Sequence, residues 1–225
     1  MTVLLLARHG ETDWTRSKRW QGHADPPLNA RGREQARALA RVLLDVPLDA
    51  IYSSDLRRAS ETAAIVAHIM EIEVRLEPEL RENDFGDWTG LTRDEVERRF
   101  PEGALRRRRG LKGWRGGESY EEMAERVVRA LTRIAAPHAG KQILVVTHNG
   151  PIRATHAHAL GIPYAEYRQT AKSIRKGTVS AVSLEKDVWN RLDSALGALP
   201  AQALFVAQAV SEWNPVLLML EALPA

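Results

Sequence analysis

Two histidines, His9 and His148, each stand at the end of a short run of mainly apolar residues, His148 directly after its run and His9 one residue beyond. The runs, residues 3–7 and 142–147, have the length and composition of strands buried in a parallel sheet. Because the carboxyl ends of parallel strands lie at the same edge of a sheet, we expect the two imidazoles to face each other there. That edge is where ligands bind in folds of this kind, so the pair marks a candidate site.

Two arginines are expected at the same edge. Arg8 adjoins the first histidine, and Arg58 begins a predicted helix just after a third candidate strand, residues 49–54. Arginine forks and a helix N-terminus both bind the oxygens of a doubly charged tetrahedral anion. Neighbouring cations also favour a neutral imidazole, which is the form that can attack phosphorus. The glycines Gly10 and Gly150 would let backbone amides approach such an anion closely.

The segments between these residues predict the elements that position them. Apolar residues recur at helical spacing after Asn29, after Leu56 and after Ser119, where Ser-Tyr-Glu-Glu forms a capping box. The further predicted elements are a short strand at Val74, a helix over residues 151–160 and an edge hairpin over 178–184 and 188–192. Residues 77–118 are rich in Gly and Trp and predict an insertion. Alternating strands and helices indicate an α/β fold with a largely parallel sheet.

The chain resembles the histidine phosphatase superfamily, which includes the cofactor-dependent phosphoglycerate mutases. The resemblance rests on six blocks in family order, at residues 8–12 (RHGET), 21–28 (QGHADPPL), 53–63 (SSDLRRASETA), 80–88 (LRENDFGDW), 117–119 (GES) and 145–150 (VVTHNG). The first block alone is a weak signal, whereas the ordered set is specific. It implies a three-layer α/β/α sandwich, phosphoglycerate mutase-like, whose insertion lies over the active-site edge.

The resemblance also implies a role for each matching position. His9 would be the nucleophile that forms a phosphohistidine. Glu82 would protonate the leaving oxygen and then activate water. The phosphoryl group would be held by Arg8, Arg58, His148 and the backbone amide of Asn149. The implied activity is a metal-independent phosphatase acting on small phosphate monoesters, with no cofactor.

Substrate contacts are expected from Thr15, Gln21 and Gly22. Many family members, mutases especially, carry Asn where this chain has Thr15, which weakens the match to a mutase pocket. Asn149 replaces the commoner Gly and brings a side chain near the pocket. Trp20 is expected either to line the approach to His9 or to pack in the core.

Composition narrows the function classes. The chain has 225 residues and no cysteine, which excludes disulfides, a thiolate nucleophile and Cys-based metal sites. No apolar run is long enough to span a bilayer, and the N-terminal residues do not resemble a signal peptide, so we expect a cytoplasmic protein without a membrane partner. The basic run 106–109 is interpreted as a solvated face or as a device that steers anionic substrates, because the aromatic residues of a nucleic-acid platform are largely absent.

Two parts are predicted along the chain: a histidine phosphatase domain over residues 1–192 and an acidic, apolar tail over 193–225. The tail is expected to be helical and to pack on the body or on a second subunit, which leaves a homodimer open. Two alternatives to the phosphatase remain, a phosphoglycerate mutase-type phosphoryl transfer and a non-catalytic module that binds phosphate esters.

Overall fold

A six-stranded sheet forms the centre of the structure, a computed structural model that describes residues 1–171 and 173–192. Its strands, in chain order, are β1 (Thr2–Arg8), β2 (Ala50–Ser53), β3 (Val74–Leu76), β4 (Gln142–Thr147), β5 (Val179–Glu185) and β6 (Val188–Arg191). The order across the sheet is β3-β2-β4-β1-β5-β6. The first four of these run parallel, and β5 and β6 form an antiparallel hairpin at the edge beside β1. The predicted mainly parallel sheet is therefore confirmed.

Helices cover both faces of the sheet. The helices are α1 (Asp13–Arg16), α2 (Ala30–Leu43), α3 (Arg57–Met70), α4 (Arg93–Arg99), α5 (Pro101–Arg108), α6 (Tyr120–Ala135), α7 (Asn149–Ala159) and α8 (Tyr164–Thr170). Side chains alternate between the two faces of β1: Leu5 belongs to one hydrophobic cluster, which includes residues of α2 and α3, and Leu4 and Leu6 belong to the other, which includes residues of α6 and α7. This alternation makes the three-layer α/β/α sandwich.

Polar caps set where the longer helices begin. The Asn29 side chain accepts a hydrogen bond from the Gly32 amide at the start of α2. Ser119 and Glu122 form the predicted capping box of α6. Helix α7 begins at Asn149, two residues earlier than the sequence predicts, so His148 is its N-cap. That start brings the first amides of α7 to the carboxyl edge of the sheet.

Residues 77–118 contain two short helices, α4 and α5, which the sequence did not predict. Buried residues of both helices belong to one hydrophobic cluster with an aromatic group, in which Trp114 contacts Phe85, Trp88 and Tyr120 at ring-centroid distances of 5.0, 5.5 and 5.1 Å. Gly86 allows the close crossing of this segment, since a Cβ there would lie 2.0 Å from the Arg115 carbonyl oxygen. The segment is thus tightly packed against the body.

The basic run at the end of α5 is not wholly a solvated face. Arg107 is partly buried, and its guanidinium carbon lies 4.7 Å from the ring centroid of Trp20. Burial lowers the pKa of Arg107. The other three arginines of residues 106–109 are exposed, as predicted.

The predicted tail, residues 193–225, lies outside the described residues. None of the helices in the described part has the length and hydropathy of a membrane-spanning segment.

Candidate active site

His9 follows β1 at the carboxyl edge of the sheet and is almost fully buried. Its Nδ1 donates a hydrogen bond to the Gly10 carbonyl oxygen at 2.7 Å, which places the ring proton on Nδ1 and leaves the lone pair of Nε2 free. Burial, and then the charges of Arg58 and Arg8, hold the pKa of His9 well below its usual value. The imidazole is therefore a neutral base at neutral pH.

His148, at the end of β4, lies against His9. The two ring centroids are 5.1 Å apart and the ring planes are inclined by 59°. Its Nε2 is 2.9 Å from the hydroxyl oxygen of Ser54, whereas its buried Nδ1 has no hydrogen-bond partner among the described residues. Burial, followed by the charge of Arg58, also holds the pKa of His148 well below its usual value. The two histidines thus meet as the parallel strands predict.

Arg58, in the first turn of α3, is completely buried. Its terminal nitrogens donate to the carbonyl oxygens of Ala24 and Gly22 at 2.7 and 2.8 Å. Burial lowers its pKa to about 10, and the charge of Glu82 opposes that shift. Its Nε is buried and lacks a partner in the described part of the chain. Arg58 is thereby anchored by a loop, and its Nε–H remains available as a donor.

Arg8 is held in a similar way by a segment that follows α8. One terminal nitrogen donates to the Ile174 carbonyl oxygen at 2.5 Å and lies 3.4 Å from the Ser173 hydroxyl. Its Nε is also buried without a partner within the described residues. Burial lowers the pKa of Arg8. Arg8 and Arg58 therefore each have a buried Nε without a partner among the described residues, which is an arrangement that an anion would complete.

Glu82 lies at the same edge, and its carboxylate accepts hydrogen bonds from the amides of Gly150 and Asn83. Gly150 is the second residue of α7, so the positive end of that helix faces the carboxylate. A Cβ at position 150 would lie only 2.2 Å from Glu82 Oε1, so this close approach requires glycine. The neighbouring Arg81 forms its ion pair with Asp55 and not with Glu82.

A cavity of about 290 Å³ opens between these residues. Seven of the nine predicted site residues line it, namely Arg8, His9, Thr15, Gln21, Gly22, Glu82 and Asn149. The other two, Arg58 and His148, are fully buried beside it. The structure therefore brings the whole predicted set together, although the residues come from widely separated parts of the chain.

Three of the predicted binding residues have side chains that are already engaged. The Thr15 hydroxyl donates to the Thr12 carbonyl oxygen at 2.9 Å, as part of the cap of α1. Gln21 Oε1 accepts a hydrogen bond from the Thr12 hydroxyl at 2.7 Å. Asn149 Oδ1 accepts from the Ile174 amide at 2.9 Å. Because Asn149 is the first residue of α7, its own amide has no partner within the helix.

Sequence reasoning missed four residues of the cavity lining: Lys18, Arg19, Phe85 and Lys176. Lys18 and Arg19 adjoin the block at residues 21–28, so a wider window around that block would have included them. Nothing local marks Lys176, whose ammonium group is 3.3 Å from Glu11. Trp20 satisfies both of its expected roles, since it lines the cavity and packs against Phe85.

Comparison with known proteins accounts for this geometry. Residues 4–194 match the histidine phosphatase superfamily (branch 1). The chain belongs to this superfamily. The predicted family and the predicted class of enzyme are therefore confirmed.

Several relatives share most of the chain. It is 39% identical over 163 residues to phosphoglycerate mutase-like protein 4 of Arabidopsis thaliana, which covers 69% of this chain and 70% of that protein. It is 36% identical over 169 residues to phosphoserine phosphatase 1 of Hydrogenobacter thermophilus, covering 74% and 80% of the two chains. Among solved structures, a mycobacterial glucosyl-3-phosphoglycerate phosphatase superimposes with a TM-score of 0.77 at 31% identity, over 84% of this chain and 96% of that one. This structural similarity confirms the fold.

Proposed function

We propose that this chain hydrolyses small phosphate monoesters through a phosphohistidine formed on His9. The observation that carries the proposal is the hydrogen bond from His9 Nδ1 to the Gly10 carbonyl oxygen. It fixes the tautomer in which Nε2 bears the lone pair, in a ring that lines the cavity and whose pKa is lowered. A neutral, oriented imidazole is what nucleophilic attack on phosphorus needs.

The first step transfers the phosphoryl group to the enzyme. His9 Nε2 attacks phosphorus, the bond to the ester oxygen breaks, and Glu82 in its protonated form gives its proton to the departing oxygen. The unpartnered Nε donors of Arg8 and Arg58 are available to the phosphoryl oxygens. The backbone amide of Asn149, which has no partner within α7, is a further donor. His148 Nδ1 is another donor in the tautomer in which His148 Nε2 accepts a hydrogen bond from the Ser54 hydroxyl.

The second step returns the enzyme to its starting state. Water attacks the phosphohistidine, Glu82 takes a proton from that water, and the bond between phosphorus and Nε2 breaks. His9 regains its lone pair and inorganic phosphate leaves. Both steps use only groups of this chain and water, which is the metal-independent route that we expect.

Phosphatase names among the relatives support hydrolysis, and so does Thr15. A mutase must hold the phosphorylated product while it turns, and in many mutases an Asn at this position would help. Here the Thr15 hydroxyl donates to a backbone carbonyl in the cap of α1. For these reasons we propose a phosphatase in preference to a mutase or to a binding module.

The proposal is tested by trapping the phosphoenzyme. Brief reaction with a labelled aryl phosphate should yield an acid-labile, alkali-stable adduct on the wild-type chain, in the presence of EDTA. His9→Gln should yield no adduct and no turnover. The matched control is His158→Gln, which changes an exposed histidine of α7 and should behave as the wild type does.

Three outcomes separate the candidate functions. Release of free phosphate identifies a phosphatase, whereas isomerisation of 3-phosphoglycerate without phosphate release identifies a mutase. Binding of the ester with neither product identifies a binding module. Turnover by His9→Gln, or loss of wild-type turnover on chelation, would refute the phosphohistidine route.

A further inference from the structure

Arg126, on α6, forms hydrogen bonds with the backbone of the segment that contains Glu82. It donates hydrogen bonds to three carbonyl oxygens of that segment: that of Glu79 at 2.5 Å, that of Arg81 at 3.2 Å and that of Glu82 itself at 3.4 Å. The Arg126 side chain is only 16% exposed. A single guanidinium group therefore fixes the backbone up to and including the proposed acid.

Glu118 fixes the other end of the same segment. It forms a two-point ion pair with Arg126, with distances of 2.5 Å from one terminal nitrogen and 3.1 Å from Nε. The carboxylate oxygen in the shorter contact also accepts from the Asp84 amide at 3.1 Å. In addition, His23 Nε2 donates to the Glu82 carbonyl oxygen at 2.9 Å. The pair therefore holds the chain both before and after Glu82.

We infer that Arg126 is a positioning residue for proton transfer by Glu82, acting through this clamp and through no contact with substrate. The inference rests on the proposed function, in which Glu82 is the general acid. The Glu82 carboxylate is held by the Gly150 amide from one side, and its backbone is held by Arg126 from the other. Proton transfer is sensitive to such placement, since a displacement of about 1 Å can cost on the order of 10² in rate.

A positioning role and a merely structural role predict different substrate dependence. An alkyl phosphate has a poor leaving group that needs a proton, whereas the nitrophenolate of p-nitrophenyl phosphate leaves without one. A variant that misplaces Glu82 should therefore lose activity selectively towards the alkyl ester. A variant that merely unfolds part of the enzyme should lose activity towards both substrates equally.

The experiment measures kcat/KM for glycerol phosphate and for p-nitrophenyl phosphate and compares the two substrates. The parameter kcat/KM is used because it reports phosphoryl transfer to the enzyme and not the later hydrolysis of the phosphoenzyme. For Arg126→Met we expect a loss on the order of 10²-fold with the alkyl ester and at most about threefold with the aryl ester. Arg126→Lys, which keeps the charge but not the fork, should show a smaller loss of the same selectivity. If Arg126→Met fails to fold, Arg126→Lys alone tests the selectivity.

The matched control is Arg133→Met on the same helix. Arg133 pairs with Glu77 and Glu79, is half exposed, and makes no hydrogen bond to residues 81–84. Arg133→Met removes the same charge and the same kind of ion pair as Arg126→Met but leaves the backbone around Glu82 held. We therefore expect wild-type kcat/KM with both substrates. This control separates the clamp from a general effect of charge on α6.

Glu82→Gln distinguishes failure of the inference from failure of the proposed function. If Glu82→Gln shows no selective loss with the alkyl ester, Glu82 is not the general acid and the proposed function is wrong in that step. If Glu82→Gln shows the selective loss while the Arg126 variants affect both substrates equally, or neither, the proposed function stands and the positioning role is refuted. Selective loss in both sets supports the inference.

Discussion

Replacement of Gly150 by alanine tests whether the placement of the Glu82 carboxylate controls the reaction. The new Cβ would lie 2.2 Å from Glu82 Oε1. Contacts between carbon and oxygen rarely fall below about 3.3 Å, so the carboxylate must retreat by roughly 1 Å. A misplacement of that size costs on the order of 10² in rate, which corresponds to about 2.7 kcal/mol in the activation barrier.

The same change should alter stability only modestly. Losing the hydrogen bonds from the Gly150 amide to a charged group costs about 1.5–3 kcal/mol. Alanine in a helix is better than glycine by about 0.5–1 kcal/mol, which offsets part of that loss. We therefore expect Gly150→Ala to fold, with a free energy of unfolding lower by roughly 1–2 kcal/mol.

The assay is a double-mutant cycle on kcat/KM with an alkyl phosphate. Gly150→Ala alone should lose about 10²-fold, and Glu82→Ala alone should lose at least as much. In Glu82→Ala the obstructed carboxylate is absent, so adding Gly150→Ala should cause almost no further loss. If the fold-losses in kcat/KM of the two single variants multiply in the double variant, or if Gly150→Ala keeps wild-type activity, the reasoning is refuted.

Two further predictions concern pH and the segment that follows α8. Burial and the charge of Arg58 keep His9 neutral in the fold, so the unfolded chain binds a proton that the folded chain does not. Below the ordinary pKa of about 6.5, stability should fall by about 1.4 kcal/mol per pH unit through His9, in addition to the fall through His148, whose pKa is also lowered. In urea titrations between about pH 7.5 and 5.5, His9→Gln should therefore have a shallower slope than the wild type, and equal slopes would contradict the neutral His9. Asn149→Ala should lower the free energy of unfolding by about 1–3 kcal/mol, because Asn149 Oδ1 accepts from both Ser173 and Ile174. Asn149→Asp keeps an acceptor, so equal losses in the two variants would contradict that assignment.

The strand and helix pattern was largely predictable because each element carries its own periodicity. Residues 3–7, which form most of β1, are all apolar, as is typical of a strand covered on both faces. Ser119 and Glu122 mark the start of α6 locally. Helices α4 and α5 were missed for the opposite reason. Each is at most eight residues long, and most of their side chains are charged, so their order depends on the contacts around Trp88 and Trp114 and not on their own pattern.

The candidate site divides in the same way. His9 and His148 were assigned to one edge from sequence because strand direction follows from the alternation of strands and helices. The further role of Asn149 was not predictable, since its side chain accepts hydrogen bonds from a segment 25 residues away in the chain. Lys176 lines the cavity for a similar long-range reason.

The residue types, their order and the sheet edge that collects them were determined by the sequence itself, because local periodicity and strand polarity are encoded residue by residue. Only the tertiary structure decided how each group is held and protonated. The burial of Arg8 Nε and Arg58 Nε without partners among the described residues, and the clamp that Arg126 applies around Glu82, depend on distant chain segments that pack together. There, desolvation and single hydrogen bonds set pKa and geometry, and no local pattern encodes them.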